Sequence, residues 1–555
     1  MKTIELNPKS KNFLASGTET LRKADFLNRL LEKDATLWKK DSVNKNIISN
    51  ALGWVNIADE MLKDAEEITK FVNSIKSKFN YCIVLGMGGS SLAPEVFRTV
   101  FKNKKGYPKL FVLDTTNPEQ ILDTERQLNL KKTLFIVASK SGTTTEPHSQ
   151  LVYFYGKLKK SVKNAGQNFI AITDAETELV KLAEKLNFRK TFINPSDIGG
   201  RFSALSYFGL VPAAIMGIDI KKLLKRAVGF SKKYLKTYSQ NPALMLGALL
   251  GNGYLKGIDK LTLVMPKKLQ PFGLWIEQLI AESTGKEGKG IVPIVHEPVI
   301  ENFNYCRDRI FVNFMLGNKN DKTLHRHIKT LKKKKYPVID IKLSDVYDLG
   351  IQFYLWELAT AAAGFVLKIN PFSQPDVEQS KIFMRNILKS ASTRKKEKEI
   401  KEIQVLYSKS AIKKIKSKKL ENLPQNFYSF IKKNYYVGIL AYLPQNPQIH
   451  SLLRTLRRKI TVKKNVPTLF GYGPRYLHST GQLHKGGGTG GVFLIIESCG
   501  KPDIIIPKKP YTFRQLISSQ SLGDFKALES KKKVVVKVQL PNPIKLHLKH
   551  LINVL

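Results

Sequence analysis

Four hydroxyl side chains and a lysine fall within residues 139–144 of the segment 139–147, SKSGTTTEP. This segment directly follows an apolar run of strand length. Pro147 suits the first turn of a helix, and a helix N-terminus presents free backbone N–H groups to an anion. Hydroxyl and ammonium groups supply further donors to a charged oxygen. The segment therefore predicts a cradle for a phosphate monoester, with an ordinary Ser/Thr-rich loop as the structural alternative.

Two glycine-rich turns could bring backbone donors or a cation to the same anion. Residues 86–91 (GMGGSS) follow a buried run, but they lack the third glycine of a dinucleotide fingerprint and the lysine of a P-loop. Residues 199–203 (GGRFS) place Arg201 beside two glycines, where it could face a phosphate or a developing enolate. A tight β–α turn and a surface arginine are the structural alternatives, and the residues alone leave both interpretations open.

A carboxylate suited to proton transfer lies near the end of a predicted helix at 272–285. Apolar residues at helical spacing give this helix a buried face, and Gly285 is a typical helix terminator. Gln278 and Glu282 are four residues apart and therefore share one face. Glu282 occupies the last turn, where a carboxylate opposes the helix dipole and suits the role of general base. An exposed surface glutamate is the alternative.

Two further segments carry polar side chains whose role the residues alone leave open. Residues 370–381 (NPFSQPDVEQSK) form a proline-stiffened loop that leads to Lys381, and an N-capping loop with a surface lysine is the simpler interpretation. Residues 477–486 (LHSTGQLHKG) contain His478 and His484, whose spacing does not fit metal ligation from one helix face. A single histidine is most often structural.

These segments need a scaffold that positions them. Short apolar runs that end in Gly, Ser or Thr indicate the strands of such a scaffold. Runs of strand length alternate with stretches of helix length, a pattern typical of parallel sheets in doubly wound α/β domains. The predicted strands of a first sheet are 81–86, 109–114, 133–139 and 168–174. The predicted strands of a second sheet are 261–266, 309–315, 336–343, 436–443, 466–471, 492–498 and 534–540.

The order of these elements predicts three parts of the chain. Residues 1–75 form an N-terminal helical segment, 76–240 a first α/β domain, and 241–555 a second α/β domain with a C-terminal extension that carries LHSTGQ. Within the second domain, the lysine-rich segment at about 390–422 predicts an exposed helical insertion.

The composition excludes several classes of protein. The 555 residues are 42% hydrophobic, which suffices for buried cores and excludes global disorder. No apolar run approaches the roughly 20 residues of a membrane helix, and the N-terminus lacks the apolar core of a secretory signal. Three distant cysteines exclude a disulfide framework and a cysteine-rich zinc module, so we expect a cytoplasmic location.

A net charge of +47 alone would suggest nucleic acid or an anionic membrane as a partner. The lysines are spread over the whole chain, however, and no arginine-rich tail or aromatic–basic stretch accompanies them. We therefore interpret the charge as a solvated surface that attracts phosphorylated small substrates, and we expect no specific binding of nucleic acid and no membrane partner.

Together, the segments GMGGSS, SKSGTTTEP, GGRFS, EQLIAESTGK and NPFSQPDVEQSK resemble the glucose-6-phosphate isomerase family, from about residue 75 to the C-terminus. The sequences of these motifs are most similar to the isomerase half of bifunctional transaldolase–glucose-6-phosphate isomerases. The transaldolase half has no counterpart here. The resemblance implies two sugar-isomerase (SIS) domains, each a doubly wound parallel sheet in a three-layer αβα sandwich, after an N-terminal helical lead-in. It also implies reversible isomerisation of glucose 6-phosphate and fructose 6-phosphate in glycolysis and gluconeogenesis, without a metal or other cofactor.

The resemblance gives individual residues expected roles. It implies that Glu282 moves a proton between C2 and C1, that Arg201 faces the enediolate, and that Lys381 and His478 assist ring opening. The residues that the resemblance implies for substrate binding are Gly89, Ser90, Ser139, Lys140, Ser141, Thr144, Gly200, Gln278 and Gln374.

The histidine motif departs from the family's order, because LHSTGQ follows both the glutamate and the lysine motifs instead of lying between them. Position in space decides the chemistry, so we expect His478 to point into the cleft formed by the other site residues. It could reach that cleft from its own chain or, as in dimers of the family, from a partner subunit. His296 and His484 are the alternatives for its role.

Other partners and functions stay open at this stage. The resemblance suggests a homodimer and an association with a separate transaldolase. An isomerase of mannose 6-phosphate or of an amino-sugar phosphate is one alternative function. A non-catalytic SIS sensor that binds sugar phosphate and nucleic acid is another, and Glu282 distinguishes the two classes because a sensor needs the cradle but no base.

Overall fold

Parallel sheets organise the computed structural model, which describes residues 5–6, 8–318, 321–391, 400–488 and 490–555. The strands are β1 (Glu5–Leu6), β2 (Tyr81–Gly86), β3 (Lys109–Leu113), β4 (Thr133–Ala138), β5 (Phe169–Thr173), β6 (Lys190–Ile193), β7 (Lys260–Val264), β8 (Val292–Ile294), β9 (Arg309–Leu316), β10 (Val338–Leu343), β11 (Gln404–Tyr407), β12 (Tyr436–Tyr442), β13 (Thr468–Tyr472), β14 (Gly491–Ser498) and β15 (Val534–Leu540).

Helices cover the faces of these sheets and form the N-terminal region. They are α1 (Pro8–Lys23), α2 (Phe26–Leu31), α3 (Ser42–Ser49), α4 (Ile57–Ile75), α5 (Gly89–Phe101), α6 (Pro118–Arg126), α7 (Thr145–Lys159), α8 (Glu178–Lys185), α9 (Tyr207–Ile215), α10 (Ile220–Tyr234), α11 (Pro242–Leu255), α12 (Gln270–Thr284), α13 (Lys322–Lys333), α14 (Leu349–Val366), α15 (Val377–Ala391), α16 (Lys409–Ile412), α17 (Leu423–Phe430), α18 (Pro447–Lys464), α19 (Gly481–Gly486), α20 (Phe513–Ser530) and α21 (Ile544–Val554).

The N-terminal segment is helical, as its apolar spacing predicts. In α4, buried Met61, Ala65, Ile68 and Val72 recur at intervals of three or four residues and form one apolar face. This face joins the large core that α9 to α12 and α14 also fill. The N-terminal helices therefore pack as part of one continuous core instead of forming a separate unit.

The first sheet has the order β3-β2-β4-β5-β6, with all strands parallel. The strands β2, β4 and β5 are buried apolar runs, which is why the sequence predicts them, whereas the edge strand β6 is largely not buried and was not predicted. The chain passes from β2 to β3 on one side and then to β4 on the other. This reversal makes the carboxyl ends of β2 and β4 the place where a doubly wound sheet binds a ligand.

The α/β class with parallel-sheet domains is confirmed, but the strands of residues 241–555 form two sheets where the sequence predicted one. The second sheet has the order β1-β10-β9-β7-β8, and the third has the order β11-β15-β14-β12-β13. An antiparallel strand covers one edge of each: β1 pairs with β10, and β11 pairs with β15. Apolar runs show where strands are, but strand partners depend on contacts between distant segments.

The lysine-rich segment also differs from its prediction. Residues 392–399 lie outside the described part of the chain. Gln404–Tyr407, expected to be helical, forms β11 with alternating exposed and less exposed side chains, as an edge strand requires. The segment Gln404–Tyr407 is a strand because it pairs with β15, and the charge of the surrounding residues does not reveal that pairing.

Residues 346–366, which include α14, are long and apolar enough to cross a membrane by length and composition alone. Of the most apolar window, 94% is buried inside the protein. Trp356 and Tyr354 are fully buried there, in the large core. The sequence analysis found no apolar run of this length, but burial in the large core identifies the segment as a core helix.

Candidate active site

One cavity of about 720 Å³ gathers the loops at the carboxyl ends of β2 and β4, the last turn of α12, the start of α15 and the segment before α19. All the site residues named from the sequence line it. They are Glu282, His478, Lys381, Arg201, Gly89, Ser90, Ser139, Lys140, Ser141, Thr144, Gly200, Gln278 and Gln374.

Gly88 and Gly89 allow the turn after β2 to pack closely against the backbone of His478 and Gly200. Gly88 has φ of 56°, and a Cβ there would lie 2.9 Å from the backbone oxygen of His478. A Cβ on Gly89 would lie 1.9 Å from the backbone oxygen of Gly200. Side chains at these positions would therefore push apart three of the segments that form the cavity, so GMGGSS and GGRFS act together as close-packed backbone.

The predicted phosphate cradle is the turn between β4 and α7. The hydroxyls of Ser139 and Thr144 are 2.9 Å apart, and those of Ser141 and Thr143 are 3.1 Å apart. Thr144 is the N-cap residue of α7, so the first N–H groups of that helix are directed towards the same loop. Hydroxyl and backbone donors thus converge on one side of the cavity.

Asp174 holds the lysine of this cradle. The Lys140 ammonium donates to the Asp174 carboxylate and, at 2.7 Å, to the backbone oxygen of Ser196. Burial raises the pKa of Asp174, although the Lys140 charge opposes the shift. The sequence analysis did not identify Asp174, which directly follows β5 and so reaches the same sheet edge as β4.

Glu282 and Arg201 form a buried ion pair in the cavity wall. Glu282 Oε1 is 3.5 Å from Arg201 Nη1, and their side chains are 8% and 3% exposed. Arg201 Nε donates to the Ser283 hydroxyl at 2.7 Å, which fixes the guanidinium against the same helix. Burial lowers the pKa of Arg201, while the Glu282 carboxylate opposes that shift. A carboxylate and a cation are thus held side by side, close to the cradle.

Arg201 and a second buried cation, Lys286, fix the loop that carries Gln374. Arg201 Nη1 donates to Gln374 Oε1 at 3.0 Å, and Lys286 Nζ donates to the backbone oxygen of Asn370 at 2.9 Å. Both cations also donate to the backbone oxygen of Ser373. Burial, with the nearby Arg201 charge, lowers the pKa of Lys286 well below its ordinary value. Lys286 lies in the EQLIAESTGK segment and was not identified as a site residue from the sequence.

His478 reaches the cavity from its own chain. Its Nε2 is 3.2 Å from Glu146 Oε1, and Gln520 Nε2 donates to the same oxygen at 2.8 Å. Burial opposes ionisation of Glu146, but His478 and Lys381 outweigh it and lower the pKa of the Glu146 carboxyl. Sequence reasoning missed Glu146, although a carboxylate inside a predicted anion cradle is a signal that a charged or donor partner lies nearby.

Gln482, the last residue of LHSTGQ, ties this segment to the rest of the site. Its amide donates to the backbone oxygen of Gly285 at 2.9 Å and to Asp376 at 2.8 Å, while its Oε1 accepts from the Asp376 N–H at 3.0 Å. Gln278 Nε2 donates to the backbone oxygen of His478 at 2.8 Å and to Glu282 Oε2 at 3.2 Å. The histidine segment is therefore anchored at one end to α12, through Gln278, and at the other end to Gly285, which follows α12, and to the loop of Asp376.

The two alternative histidines lie away from this cavity. His484 packs among Tyr436 and Phe493, and His296 lies beside Gln270. Lys381 lines the cavity while its ammonium donates to Glu378 at 3.1 Å, and its side chain is 42% exposed. It is the most accessible cation of the four residues that the sequence analysis expected to be catalytic.

The arrangement can hold a phosphorylated ligand and move protons on it. The cavity lining combines the hydroxyl and N–H donors of the cradle with the Glu282–Arg201 pair and the His478–Glu146 pair. Within the described residues, no group of three or more His, Cys, Asp or Glu side chains could hold a metal ion.

Comparison with known proteins matches residues 16–293 to the model of the phosphoglucose isomerase family. A probable glucose-6-phosphate isomerase of Methanococcus maripaludis is 28% identical over 373 residues, which cover 60% of this chain and 83% of the relative. A glucose-6-phosphate isomerase of Streptococcus pneumoniae is 30% identical over 387 residues, which cover 60% of this chain and 86% of the relative. The crystal structure of a glucose-6-phosphate isomerase from Chlamydia trachomatis has a similar fold, with a TM-score of 0.57, 19% identity, and coverage of 69% of this chain and 86% of that one.

Proposed function

The chain belongs to the phosphoglucose isomerase family, and we propose on that premise that it interconverts glucose 6-phosphate and fructose 6-phosphate as an aldose–ketose isomerase. The observation that carries the proposal is the buried Glu282–Arg201 pair, 3.5 Å apart in a cavity that is also lined by a cradle of hydroxyl and N–H donors. A protein that only bound a sugar phosphate would need that cradle but no carboxylate beside a fixed cation.

Substrate binding is assigned to the cradle and the glycine turns. The phosphate group accepts hydrogen bonds from the hydroxyls of Ser139, Ser141 and Thr144 and from the N-terminal N–H groups of α7. Gly89, Ser90 and Gly200 bring backbone close to the sugar phosphate. Lys140, held by Asp174, supplies positive charge, and Gln278 and Gln374 position the sugar.

Ring opening is assigned to His478, with Glu146 as its carboxylate partner and Lys381 in the lining of the same cavity. Opening a hemiacetal needs a proton removed from the C1 hydroxyl and a proton given to the ring oxygen. An imidazole paired with a carboxylate is suited to this exchange, because the carboxylate stabilises the protonated ring while it exists. Lys381 is the second proton donor within the cavity wall.

Isomerisation of the open chain is assigned to Glu282. In the forward direction its carboxylate removes the proton from C2, the electron pair forms the C1–C2 double bond, and the carbonyl oxygen becomes an enediolate oxygen. Arg201 stabilises that charge, which for a preorganised donor is worth roughly 3–4 kcal/mol. Glu282 then returns the proton to C1, the C2 hydroxyl gives up its proton to the medium, and the enediolate oxygen regains one. No net oxidant, reductant or water is consumed.

A coupled assay tests the proposal: purified protein with fructose 6-phosphate, with glucose 6-phosphate formation followed spectroscopically, with and without EDTA. We expect turnover in both conditions, because every assigned group is a side chain or backbone donor of this chain. Mannose 6-phosphate and glucosamine 6-phosphate in parallel assays decide between hexose phosphates. Turnover of neither fructose nor glucose 6-phosphate, with binding retained, would favour a sensor instead.

The hexose phosphate is the partner that the family implies, and the remaining partners stay proposals. The net charge of +47 favours attraction of phosphorylated substrates over specific nucleic-acid recognition. The cytoplasmic location stays a proposal that rests on the small number and wide spacing of the cysteines in the sequence. A homodimer, and an association with a separate transaldolase, are decided by size-exclusion chromatography and by co-purification.

A further inference from the structure

A second cavity, of about 290 Å³, lies between the second and third sheets. Its walls are the carboxyl end of β7 (Thr262–Met265), the loop after β8, the first half of α13 and one face of α18. Among the described residues, it shares no lining residue with the active-site cavity. It is therefore a separate compartment to which the proposed reaction assigns no role.

The second cavity occupies the position where a doubly wound sheet binds ligands. The chain passes from β7 to β8 on one side of β7 and then to β9 on the other, and all three strands are parallel. The crevice outside the carboxyl ends of β7 and β9 is thus the reversal point of the second sheet. The first sheet uses its own reversal point for the phosphate cradle, so the same position is still available in the second.

Arg457 is one of the residues that line this cavity, and one edge of its guanidinium has no partner within the described residues. The residue is 2% exposed, and its Nη1 donates to the backbone oxygen of Val295 at 2.7 Å. Its Nε and Nη2 are buried without a hydrogen-bond partner, and no described carboxylate forms an ion pair with it. Nε and Nη2 together are the edge that binds a carboxylate or phosphate through two parallel hydrogen bonds, and leaving them unpaired is costly.

A neighbouring buried arginine shows how the protein compensates such a charge when it does so internally. Arg309 Nη1 donates to Glu297 Oε2 at 2.7 Å, and its guanidinium lies 4.7 Å from the centre of the Tyr305 ring. Nε and Nη2 of Arg309 also lack a hydrogen-bond partner, so the two arginines differ in the ion pair, which Arg309 forms and Arg457 does not form with any described carboxylate. Burial lowers the pKa of Arg457 to about 10, with Glu297 and Glu277 opposing, so it is a cation at neutral pH.

The other charged side chains that line the cavity are Glu297, whose carboxylate is paired with Arg309, and Arg454. Arg454 lies one turn before Arg457 on α18 and is exposed at the cavity's entrance, with His450 a turn earlier. His296 has φ of 53°, a left-handed conformation that is costly for a residue with a side chain and is found mostly at ligand sites and tight turns. Its Nε2 donates to the backbone oxygen of Gln270 at 2.7 Å, which fixes the ring at the cavity wall.

We propose that the second cavity binds a small oxyanion, the phosphate or carboxylate group of a metabolite, through the Nε–Nη2 edge of Arg457, with Arg454 at the entrance. The anion supplies the two acceptors that Arg457 lacks within the chain. The proposal does not depend on the isomerase activity, because the two cavities are lined by different residues.

Isothermal titration calorimetry at constant ionic strength tests the proposal, with inorganic phosphate and, separately, citrate as probes. The host is the full chain with Ser141→Ala and Thr144→Ala, which weakens phosphate binding at the cradle. We expect saturable binding of at least one probe. Arg454→Glu should weaken it about 10- to 100-fold, the effect of losing a charged hydrogen-bond partner. Phosphate binding alone would indicate a phosphorylated ligand, and citrate binding alone a polycarboxylate.

The matched control is Arg458→Glu, which makes the same charge change on the same helix at an exposed position outside the cavity. It should leave binding unchanged. Arg457→Met removes the proposed contact itself; if that variant does not fold, the Arg454 and Arg458 pair still decides. Equal weakening by Arg454→Glu and Arg458→Glu would overturn the proposal, as would no binding of either probe up to about 10 mM.

Discussion

His478 Nε2 lies 3.2 Å from Glu146 Oε1, although the two residues are 332 positions apart in the sequence. Glu146 lies in the first turn of α7, directly after the phosphate cradle, and His478 lies in the loop that follows β13 of the third sheet. The contact therefore joins the first and third sheets across the active-site cavity. It explains how a histidine motif that comes late in the chain can still serve a site built mainly from earlier segments.

This pairing predicts that the two residues act as one unit in ring opening. His478→Ala should lower turnover of the cyclic sugar phosphate more than proton exchange on an open-chain analogue, because only ring opening needs the imidazole. Glu146→Gln should lower the same step by a smaller factor. Steady-state kinetics of both single variants and the double variant measure the coupling. Purely additive losses would contradict a shared role.

The lowered pKa of Glu146 predicts a pH-dependent contribution to stability. A carboxyl whose pKa is lower in the folded than in the unfolded state stabilises the fold above its ordinary pKa of about 4.5. That contribution is lost as the pH falls through the folded-state value. Urea unfolding should therefore show a larger stability difference between wild type and Glu146→Gln at pH 7 than at pH 3. A difference that does not change with pH would contradict the assignment.

The proposed base predicts a large loss of kcat in Glu282→Gln, by about two to four orders of magnitude, the usual range for a positioned base. The amide keeps the shape and the contact with Gln278, so binding of a sugar phosphate should persist. Initial rates and equilibrium binding measure the two effects. Near-normal turnover would refute the role of Glu282.

The chain provides a matched control for that substitution in Glu277, the glutamate one residue before Gln278 on the same helix. Glu277 does not line the active-site cavity, and burial raises its pKa to about 8, with Arg457 and Arg475 opposing. It is mostly protonated at neutral pH, so Glu277→Gln replaces one neutral polar group by another. This variant should keep kcat near that of the wild type.

The cradle predicts an effect on binding instead of on the chemical step. Ser141→Ala with Thr144→Ala should raise KM and weaken phosphorylated inhibitors, because each lost hydrogen bond to a charged group costs roughly 1.5–3 kcal/mol. Ser161→Ala, at an exposed position beyond the far end of α7, should leave KM unchanged. An unchanged KM in the double variant would place the phosphate elsewhere.

The sequence identified the residues that line the cavity in two ways. Local chemistry indicated the cradle and Glu282, whereas the resemblance to the family implied residues such as Lys381, His478 and Gln374. The loops of Ser139–Thr144 and Gly86–Ser91 follow buried strands, and parallel strands bring such loops to one sheet edge. Glu282 could be placed on a buried helix by spacing alone. These are properties of a few neighbouring residues.

What escaped prediction depends on contacts between distant segments. The third sheet separates from the second because β11 to β15 pair with one another, which no apolar run reveals. Glu146, Lys286 and Gln482 acquire their roles from partners on other elements. Gln482, for example, looks like a surface glutamine until α12 and the loop of Asp376 are placed beside it.

The last prediction concerns the origin of the catalytic groups in one chain. Glu282 and His478 line the same cavity of one molecule, and Gln278 bridges them by donating both to Glu282 and to the backbone of His478. Gln482 fixes the histidine segment to Gly285 in the same molecule. A single chain therefore contains the complete set, and activity should not require a residue from a partner subunit.

Co-expression of two inactive variants, Glu282→Gln and His478→Ala, tests this. If His478 were supplied to a partner's cavity, half of randomly formed dimers would be hybrids with one intact cavity, and about one quarter of all cavities would be active. A cavity formed within one chain has no such route, so the mixture should show only the mean activity of the two variants. Differently tagged copies report whether hybrids form.

A monomer on size-exclusion chromatography would allow a direct test. Full specific activity of that monomer would support a cavity formed within one chain, whereas specific activity that rises with protein concentration would contradict it.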